Sequence, residues 1–137
     1  MCGIVGIVNN GERAVSSDIL ERMNRAILHR GPDDDGFYLK ENVGLAMRRL
    51  SIIDLASGKQ PIHSHDGNKW IVFNGEIYNY QDLRKELEED GVRLYTNSDT
   101  EAIVNLYAKY GVDCVKRLRG MFAFAIWDEA EKELFIA

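Results

Sequence analysis

The apolar positions of this chain follow two patterns, and the first is the short alternating or β-branched run that predicts a β-strand. One run begins at Cys2 and ends at the turn signal Asn9-Asn10-Gly11. A longer stretch, residues 37–53, predicts two strands that are joined near Glu41-Asn42. Further strands are expected at residues 70–73, 92–95, 121–127 and 134–137, the last two as a hairpin, and a polar loop is expected at residues 54–67.

The second pattern is the recurrence of apolar residues at helical spacing, which predicts amphipathic helices. Gly31-Pro32 ends the first of these patterns and Gly91 ends the second. Because groups of strands separate the helices, their order favours an α+β layered domain over a doubly wound parallel sheet. Helices are expected after the cap signal Ser16-Ser17-Asp18, around Leu83 and Leu87, and after the capping box Ser98-Asp99-Thr100-Glu101, with a continuation at residues 112–118.

Composition limits the size of the protein and the kinds of partner it has. With 137 residues and 45% apolar content, the chain has enough apolar surface for one compact domain. Its 17 basic and 22 acidic side chains give a net charge of −5, with no long block of either sign, which argues against nucleic-acid and membrane partners. No apolar run approaches the roughly 20 residues that span a bilayer, and the amino terminus lacks signal-peptide order. A cytoplasmic protein is therefore expected.

The position of Cys2, directly after the initiator methionine, suggests chemistry. Removal of Met1 would leave a thiol and a free α-amine on one residue. A free thiol is mostly protonated at neutral pH, whereas an α-amine titrates close to the pH at which a general base works best. The amine can then take the thiol proton through one water and activate the sulfur. The alternative is a strand cysteine that only packs as a small apolar side chain.

Several other segments decide between these alternatives, because together with Cys2 they resemble one enzyme family. Their order along the chain is that of the class II glutamine amidotransferases, and the forms His-Arg-Gly-Pro-Asp and Asn-Gly-Glu-Ile-Tyr-Asn are similar to the asparagine-synthetase branch. The resemblance covers essentially the whole chain. The segments are Cys2-Gly3-Ile4-Val5-Gly6, His29-Arg30-Gly31-Pro32-Asp33, Arg49-Leu50-Ser51-Ile52-Ile53-Asp54, Asn74-Gly75-Glu76-Ile77-Tyr78-Asn79, Ser98-Asp99-Thr100-Glu101 and Arg119-Gly120-Met121-Phe122-Ala123-Phe124.

This resemblance implies the fold of the N-terminal-nucleophile hydrolases, a four-layer αββα sandwich with two antiparallel sheets. It implies that residues 1–137 form a glutaminase domain that releases ammonia from L-glutamine. We expect this domain to be truncated at its carboxyl end, because the sequence stops within an apolar strand pattern at residue 137. The ammonia acceptor would be a synthetase domain that uses ATP and Mg²⁺ to make asparagine from aspartate and is absent here. No cofactor is expected within this segment, and a homodimer is compatible with it.

The resemblance also assigns roles to individual residues. Arg49 is similar to the family arginine that binds the α-carboxylate of glutamine, for which a planar guanidinium is suited. The alternative is a solvated strand arginine, and strand alternation allows only one of Arg48 and Arg49 to face a pocket. Asn74 and Gly75 match the family's oxyanion hole; without the motif, Asn-Gly would be interpreted as a hairpin turn that breaks the strand after residue 73.

Acidic positions complete the expected substrate site. Glu76 and Asp99 match the positions that the family uses around the α-ammonium of glutamine, although an acid at a helix start is also common because it complements the helix dipole. Arg30 and Asp33 are interpreted as supports of the pocket.

Three other side chains, His63, His65 and Cys114, are of types that often carry chemistry, but their patterns favour other roles. His63-Ser64-His65 is weak evidence for a metal site because no carboxylates stand at ligand spacing, so no metal is expected. Cys114 lies in a helical pattern and is interpreted as a packing residue.

Two other hypotheses about the function of the chain remain open. The first is a non-catalytic module that binds glutamine as a sensor or an assembly surface, which a chain that keeps Met1 would resemble because its α-amine is then in a peptide bond. The second is an amidotransferase domain that serves a different acceptor, since the residues that choose the acceptor would lie beyond this segment.

Overall fold

The chain folds into two antiparallel sheets with helices on both outer faces. A computed structural model describes residues 2–50 and 58–137. The α-helices are α1 (Ser17–Ala26), α2 (Tyr80–Glu89) and α3 (Asp99–Tyr110), with 3₁₀ segments at Leu28–Arg30 and Gly111–Arg117. The strands are β1 (Gly3–Val8), β2 (Asp34–Lys40), β3 (Val43–Arg49), β4 (Ile62–His63), β5 (Lys69–Ile77), β6 (Gly120–Asp128) and β7 (Glu133–Ile136).

The strands form one sheet in the order β1-β3-β2 and another in the order β4-β5-β6-β7. An apolar layer between the sheets contains Leu45 and Met47 from the first sheet and Val72 and Trp127 from the second. Helix α1 packs on the outer face of the first sheet, where Leu20 is buried. Helices α2 and α3 cover the outer face of the second sheet. The order of layers is therefore αββα, as the family resemblance implied.

Helix α3 illustrates how local signals build this architecture. The Ser98 hydroxyl accepts a hydrogen bond from the Glu101 backbone N–H at 3.3 Å, which is the expected N-cap. The helix then ends at Gly111, which has a φ of 59°. Between these ends, Ile103 and Leu106 are fully buried against the second sheet. The cap fixes the start of α3, which lies beside the edge of the second sheet.

Two strand predictions were wrong. Residues 92–95 form no strand. The Val92 N–H donates to the Leu87 carbonyl oxygen and the Tyr95 N–H donates to the Glu101 carboxylate, so neither group is available to a neighbouring strand. Strand β5 does not break at Asn74-Gly75 but continues to Ile77, and it pairs with β6 along its whole length. The Asn-Gly turn signal is overridden because the chain at Gly75 lies directly against the backbone of β6.

Some expectations fall partly outside the described residues. The predicted strand end at residues 51–53 and the first part of the predicted loop, residues 54–57, lie outside them, as does Met1. The described part of that loop contains the short strand β4, which sequence did not predict. No helix in residues 2–50 and 58–137 has the length and apolar composition needed to cross a membrane.

Candidate active site

A cavity of about 270 Å³ opens where the two sheets meet the start of helix α3. Strands β1, β3 and β5 and helix α3 each contribute side chains to its wall. Cys2 stands at the start of β1 and Arg49 at the end of β3, which is antiparallel to it. The middle of β5 and the first turn of α3 form the opposite wall. All the residues that the motifs singled out for the site line this cavity, namely Cys2, Arg49, Asn74, Gly75, Glu76 and Asp99.

The wall made by β5 is an open strand edge whose N–H groups are held by side chains. Strand β4 pairs only with Trp70 and Ile71, so it does not cover the rest of β5. The Phe73 N–H donates to Gln60 Oε1 at 2.6 Å, and the Ile77 N–H donates to Asp99 Oδ2 at 3.0 Å. Donors on a strand alternate in direction, so the Gly75 N–H, midway between them, is expected to face the same edge and the cavity.

Gly75 and Asn74 lie next to each other in the β5 wall of the cavity. Gly75 has a φ of 155°, and a Cβ there would lie 2.1 Å from the Met121 backbone oxygen, so only glycine fits. The buried Asn74 Oδ1 has no hydrogen-bond partner in the described part of the chain. An unpaired buried acceptor of this kind costs about 1–3 kcal/mol, and a ligand that donates a hydrogen bond to it removes this cost. The Asn74 oxygen is therefore available to a hydrogen-bond donor.

The two cysteines have opposite environments. Cys2 is half-buried at the cavity, and its Sγ lies 4.0 Å from the Leu50 carbonyl oxygen. Cys114 is completely buried in the core beneath α3, and burial raises the pKa of its thiol to about 11. A thiol with such a high pKa has almost no thiolate at neutral pH. Cys2 is thus the cysteine available for chemistry, and Cys114 packs as expected.

The adjacent arginines of β3 point to different places. Arg48 donates to the Gly31 carbonyl oxygen at 3.0 Å and to Asp35 at 2.7 Å, away from the cavity. Arg49 is 8% exposed and lines the cavity, as strand alternation requires. The His29–Asp33 turn supports this strand end, because the Asp33 N–H donates to the Arg49 carbonyl oxygen at 3.1 Å. A planar cation is therefore fixed in one wall of the cavity.

Asp99 supplies a carboxylate on the opposite wall. Burial raises its pKa above the usual value, and the hydrogen bond from Ile77 only partly opposes this effect. The causes that act on this pKa are burial and hydrogen bonds, and no cation of the described residues is among them. Glu76 lines the same wall but is exposed, so its carboxylate stays in contact with solvent. Together these carboxylates make the α3 side of the cavity suited to a cation.

Sequence reasoning missed several residues of this cavity. Gln60, Tyr80 and Asn97 line it, and no local pattern marked them. Glu101 was expected to return to the Ser98 N–H in a capping box, but its carboxylate instead accepts from Tyr95 N at 2.6 Å, Thr96 N at 2.7 Å and Thr96 Oγ1 at 2.6 Å. It thereby fixes the loop that leads into the cavity wall.

The histidines of the His63-Ser64-His65 segment are engaged elsewhere. The His63 ring stacks on Tyr95 with ring centroids 4.7 Å apart, and the His65 Nδ1 lies 3.3 Å from the Arg93 carbonyl oxygen. Across residues 2–50 and 58–137, no group of three or more His, Cys, Asp or Glu side chains is arranged to hold a metal ion.

Comparison with known sequences links this cavity to a family. A family model described as a glutamine amidotransferase domain matches residues 1–137. The chain is 47% identical over 138 residues to the glutamine-hydrolyzing asparagine synthetase 1 of Bacillus subtilis strain 168, covering 98% of this chain and 22% of that protein. It is 42% identical over 139 residues to asparagine synthetase 2 of the same strain, covering 99% of this chain and 18% of that protein. The chain thus spans about a fifth of the length of these relatives.

Comparison with solved structures supports the fold. The glutamine phosphoribosylpyrophosphate amidotransferase of B. subtilis, in complex with ADP and GMP, matches with a TM-score of 0.54 at 20% identity. The match covers 92% of this chain and 29% of that chain. The expected α+β fold, of the N-terminal-nucleophile type with stacked antiparallel sheets, is confirmed.

Proposed function

Because this chain belongs to the family of glutamine amidotransferase domains, as its motifs predicted, we propose that it hydrolyses the side-chain amide of glutamine with Cys2 as the nucleophile. One observation carries the proposal. Cys2 lines the same cavity as Arg49, the carboxylate of Asp99 and the Asn74 amide, whose oxygen is buried and unpaired in the described part of the chain. These groups match the reacting amide and the two charged ends of a glutamine molecule.

The proposed reaction begins when Met1 has been removed and the Cys2 α-amine is free. The amine takes the thiol proton, and the sulfur adds to the amide carbon of the substrate, whose carbonyl oxygen becomes an oxyanion. The C–N bond then breaks, ammonia leaves with the proton held by the amine, and a thioester remains. Water adds to the thioester, the C–S bond breaks, and glutamate and the thiol are released. The net reaction consumes one water for each amide.

Asn74 and Gly75 are the proposed oxyanion donors. The proposed donor of Asn74 is its side-chain NH₂, and strand β5 holds the residue in the cavity wall, so little reorganisation is needed when charge develops. The Gly75 N–H, on the open edge of β5, adds a second donor from the backbone. Donors of this kind stabilise the transition state more than the uncharged amide of the bound substrate.

The two ends of the substrate are assigned to opposite walls. The Arg49 guanidinium suits the α-carboxylate, to which it can make two parallel charge-assisted hydrogen bonds. Asp99 suits the α-ammonium, with Glu76 as an exposed second carboxylate. Binding of the ammonium would place a cation beside Asp99 and would oppose the effect of burial on its pKa. A substrate that lacks either charged end should be hydrolysed less efficiently.

The fate of the ammonia is a further part of the proposal. The names of the relatives favour synthesis of asparagine with glutamine as the nitrogen source, and the proposed acceptor is aspartate activated by ATP. In that reaction the ATP, the Mg²⁺ and the acceptor bind to a synthetase region whose residues lie outside positions 1–137. Within this chain, the proposal assigns no cofactor to the glutaminase step.

Covalent labelling with an electrophilic glutamine analogue tests the proposed nucleophile. The intact mass should show loss of Met1 and addition of one analogue, and peptide mapping should place the label on Cys2. Cys2→Ala should abolish labelling, whereas Cys114→Ala should leave it unchanged because that thiol is buried with a raised pKa. A chain that has lost Met1, binds glutamine and never labels at Cys2 would contradict the proposal and would fit a glutamine-binding module without catalysis.

A further inference from the structure

We propose that Gln60 is a positioning residue that sets the spacing between the Asn74 amide and the Asp99 carboxylate across the cavity. This inference rests on the proposed function, because it concerns how the two walls of the glutamine site are held in register. Gln60 belongs to none of the motifs that carried the family resemblance, and its side chain is 8% exposed. Long polar side chains in loops usually face solvent, whereas that of Gln60 is buried.

The amide of Gln60 joins the two walls directly. Its Oε1 accepts from the Phe73 N–H at 2.6 Å, one residue before Asn74. Its Nε2 donates to Thr100 Oγ1 at 3.4 Å, one residue after Asp99. One side chain therefore ties the backbone next to the proposed oxyanion donor to the first turn of α3. The shorter contact, to Phe73, is the stronger of the two.

The backbone of Gln60 is anchored as well. Gly36 of β2 has no side chain, and a Cβ at that position would lie 1.8 Å from the Gln60 carbonyl oxygen, so the two backbones are in direct contact. Gln60 thus connects β2 of the first sheet, β5 of the second sheet and helix α3. Because Gln60 contacts all three elements, it limits small shifts of the cavity walls relative to each other. A loop that was held only at its ends would allow such shifts.

The Gln60 amide suits the groups that surround it. Phe73 is 3% exposed, and β4 begins at Ile62, opposite Ile71, so it does not reach far enough to offer a backbone acceptor for the Phe73 N–H. The Gln60 side chain supplies that acceptor, and the other atom of the same group donates to the Thr100 hydroxyl. Glutamine supplies both atoms on one planar group. A change at Gln60 should alter the distance between the walls, and misplacement of reacting groups by about 1 Å can reduce rates by roughly 100-fold.

The test measures kcat/KM for two substrates at pH 8. Each substrate is given to three purified proteins: the parent chain, Gln60→Met and Gln60→Glu. L-glutamine uses both walls, whereas 4-carbamoylbutanoate has the same amide and carboxylate but no α-ammonium, so it makes no demand on Asp99. For Gln60→Met we expect kcat/KM for glutamine to fall about 10- to 100-fold, with a loss below about 3-fold for 4-carbamoylbutanoate. Gln60→Glu keeps an acceptor for Phe73 and should restore much of the preference for glutamine.

The controls separate positioning from loss of structure. Gln81→Met changes the exposed glutamine on α2 and should leave kcat/KM for both substrates unchanged. Equal losses for both substrates in Gln60→Met, or no loss in either, would overturn the inference. So would a Gln60→Glu chain that is as impaired as Gln60→Met. If Gln60→Met does not fold, Gln60→Glu is compared with the parent chain, and a loss of about 10-fold or more in kcat/KM for glutamine overturns the inference. A parent chain that hydrolyses neither substrate would instead contradict the proposed function itself.

Discussion

Replacement of Glu101 by glutamine should destabilise the chain strongly, although the two side chains have the same shape. The Glu101 side chain is completely buried at the start of α3. One of its oxygens accepts from Tyr95 N, and the other accepts from Thr96 N and Thr96 Oγ1. The guanidinium of Arg84 supplies a positive charge, with its Nη1 3.6 Å from Glu101 Oε2. Glutamine would place an NH₂ group against one of these donors.

The magnitude follows from those contacts. In the best orientation, the new NH₂ faces Tyr95 and leaves its partly buried N–H without the carboxylate acceptor, which costs about 1–3 kcal/mol. The two hydrogen bonds at Thr96 survive but lose their charge assistance, which roughly halves their strength. Together these effects predict a loss of about 3–5 kcal/mol in the free energy of unfolding, a typical value for disrupting a buried charged network. The KM for glutamine should also rise, because residues 97–99 line the cavity.

Denaturant unfolding monitored by circular dichroism measures this loss. Glu88→Gln is the matched control, since Glu88 contacts the same Arg84 at 4.0 Å but its side chain is 57% exposed. An exposed pair of this kind contributes about 0.5 kcal/mol, so the control should be nearly neutral. Equal stability changes in Glu101→Gln and Glu88→Gln would refute the view that Glu101 holds the loop through a desolvated carboxylate.

Further predictions concern three residues of the cavity, Asn74, Arg49 and Asp99. Asn74→Ala should lower kcat/KM for glutamine by two to three orders of magnitude, about 2.7–4 kcal/mol, in an ammonia-release assay, with an unchanged circular dichroism spectrum. Arg49→Lys should raise the KM roughly 10- to 100-fold, because lysine cannot make the paired hydrogen bonds to a carboxylate; an unchanged KM would contradict its role. Asp99 has a raised pKa in the folded chain, so its ionisation destabilises the ligand-free fold. Asp99→Asn should therefore raise the melting temperature at pH 7, an advantage that disappears below about pH 4, where the parent carboxyl is protonated in both states, while glutamine binding is lost. For the parent chain, affinity for glutamine should fall as the pH drops through the raised pKa of Asp99, and a pH-independent affinity would count against the ammonium assignment.

Those parts of the fold that depend on local chemistry were predictable from sequence. The cap at Ser98 and the turn near Glu41-Asn42 were recovered because their signals lie within a few neighbouring residues. The family motifs added the residues that meet at the cavity. Their placement together is observed, whereas their chemical roles stay predictions until the experiments above are done.

Other features could not be predicted because their causes are distant in sequence. Asn74-Gly75 resembles a turn locally, and only the close backbone of β6 shows why glycine is needed within a continuous strand. Gln60 has partners 13 and 40 residues away, so no local window reveals its role. The missing strand at residues 92–95 has the same kind of cause, since a carboxylate from α3 takes the Tyr95 N–H that a sheet would use.

Hydrolysis of glutamine by two forms of the chain, one beginning at Cys2 and one retaining Met1, tests the catalytic proposal most directly. Intact mass spectrometry establishes the amino terminus of each form, and ammonia release gives the rate. A positioned general base contributes about 10²- to 10⁴-fold, so the form that retains Met1 should be slower by at least about 100-fold. Equal rates in the two forms would contradict the claim that the free amine of Cys2 activates its sulfur.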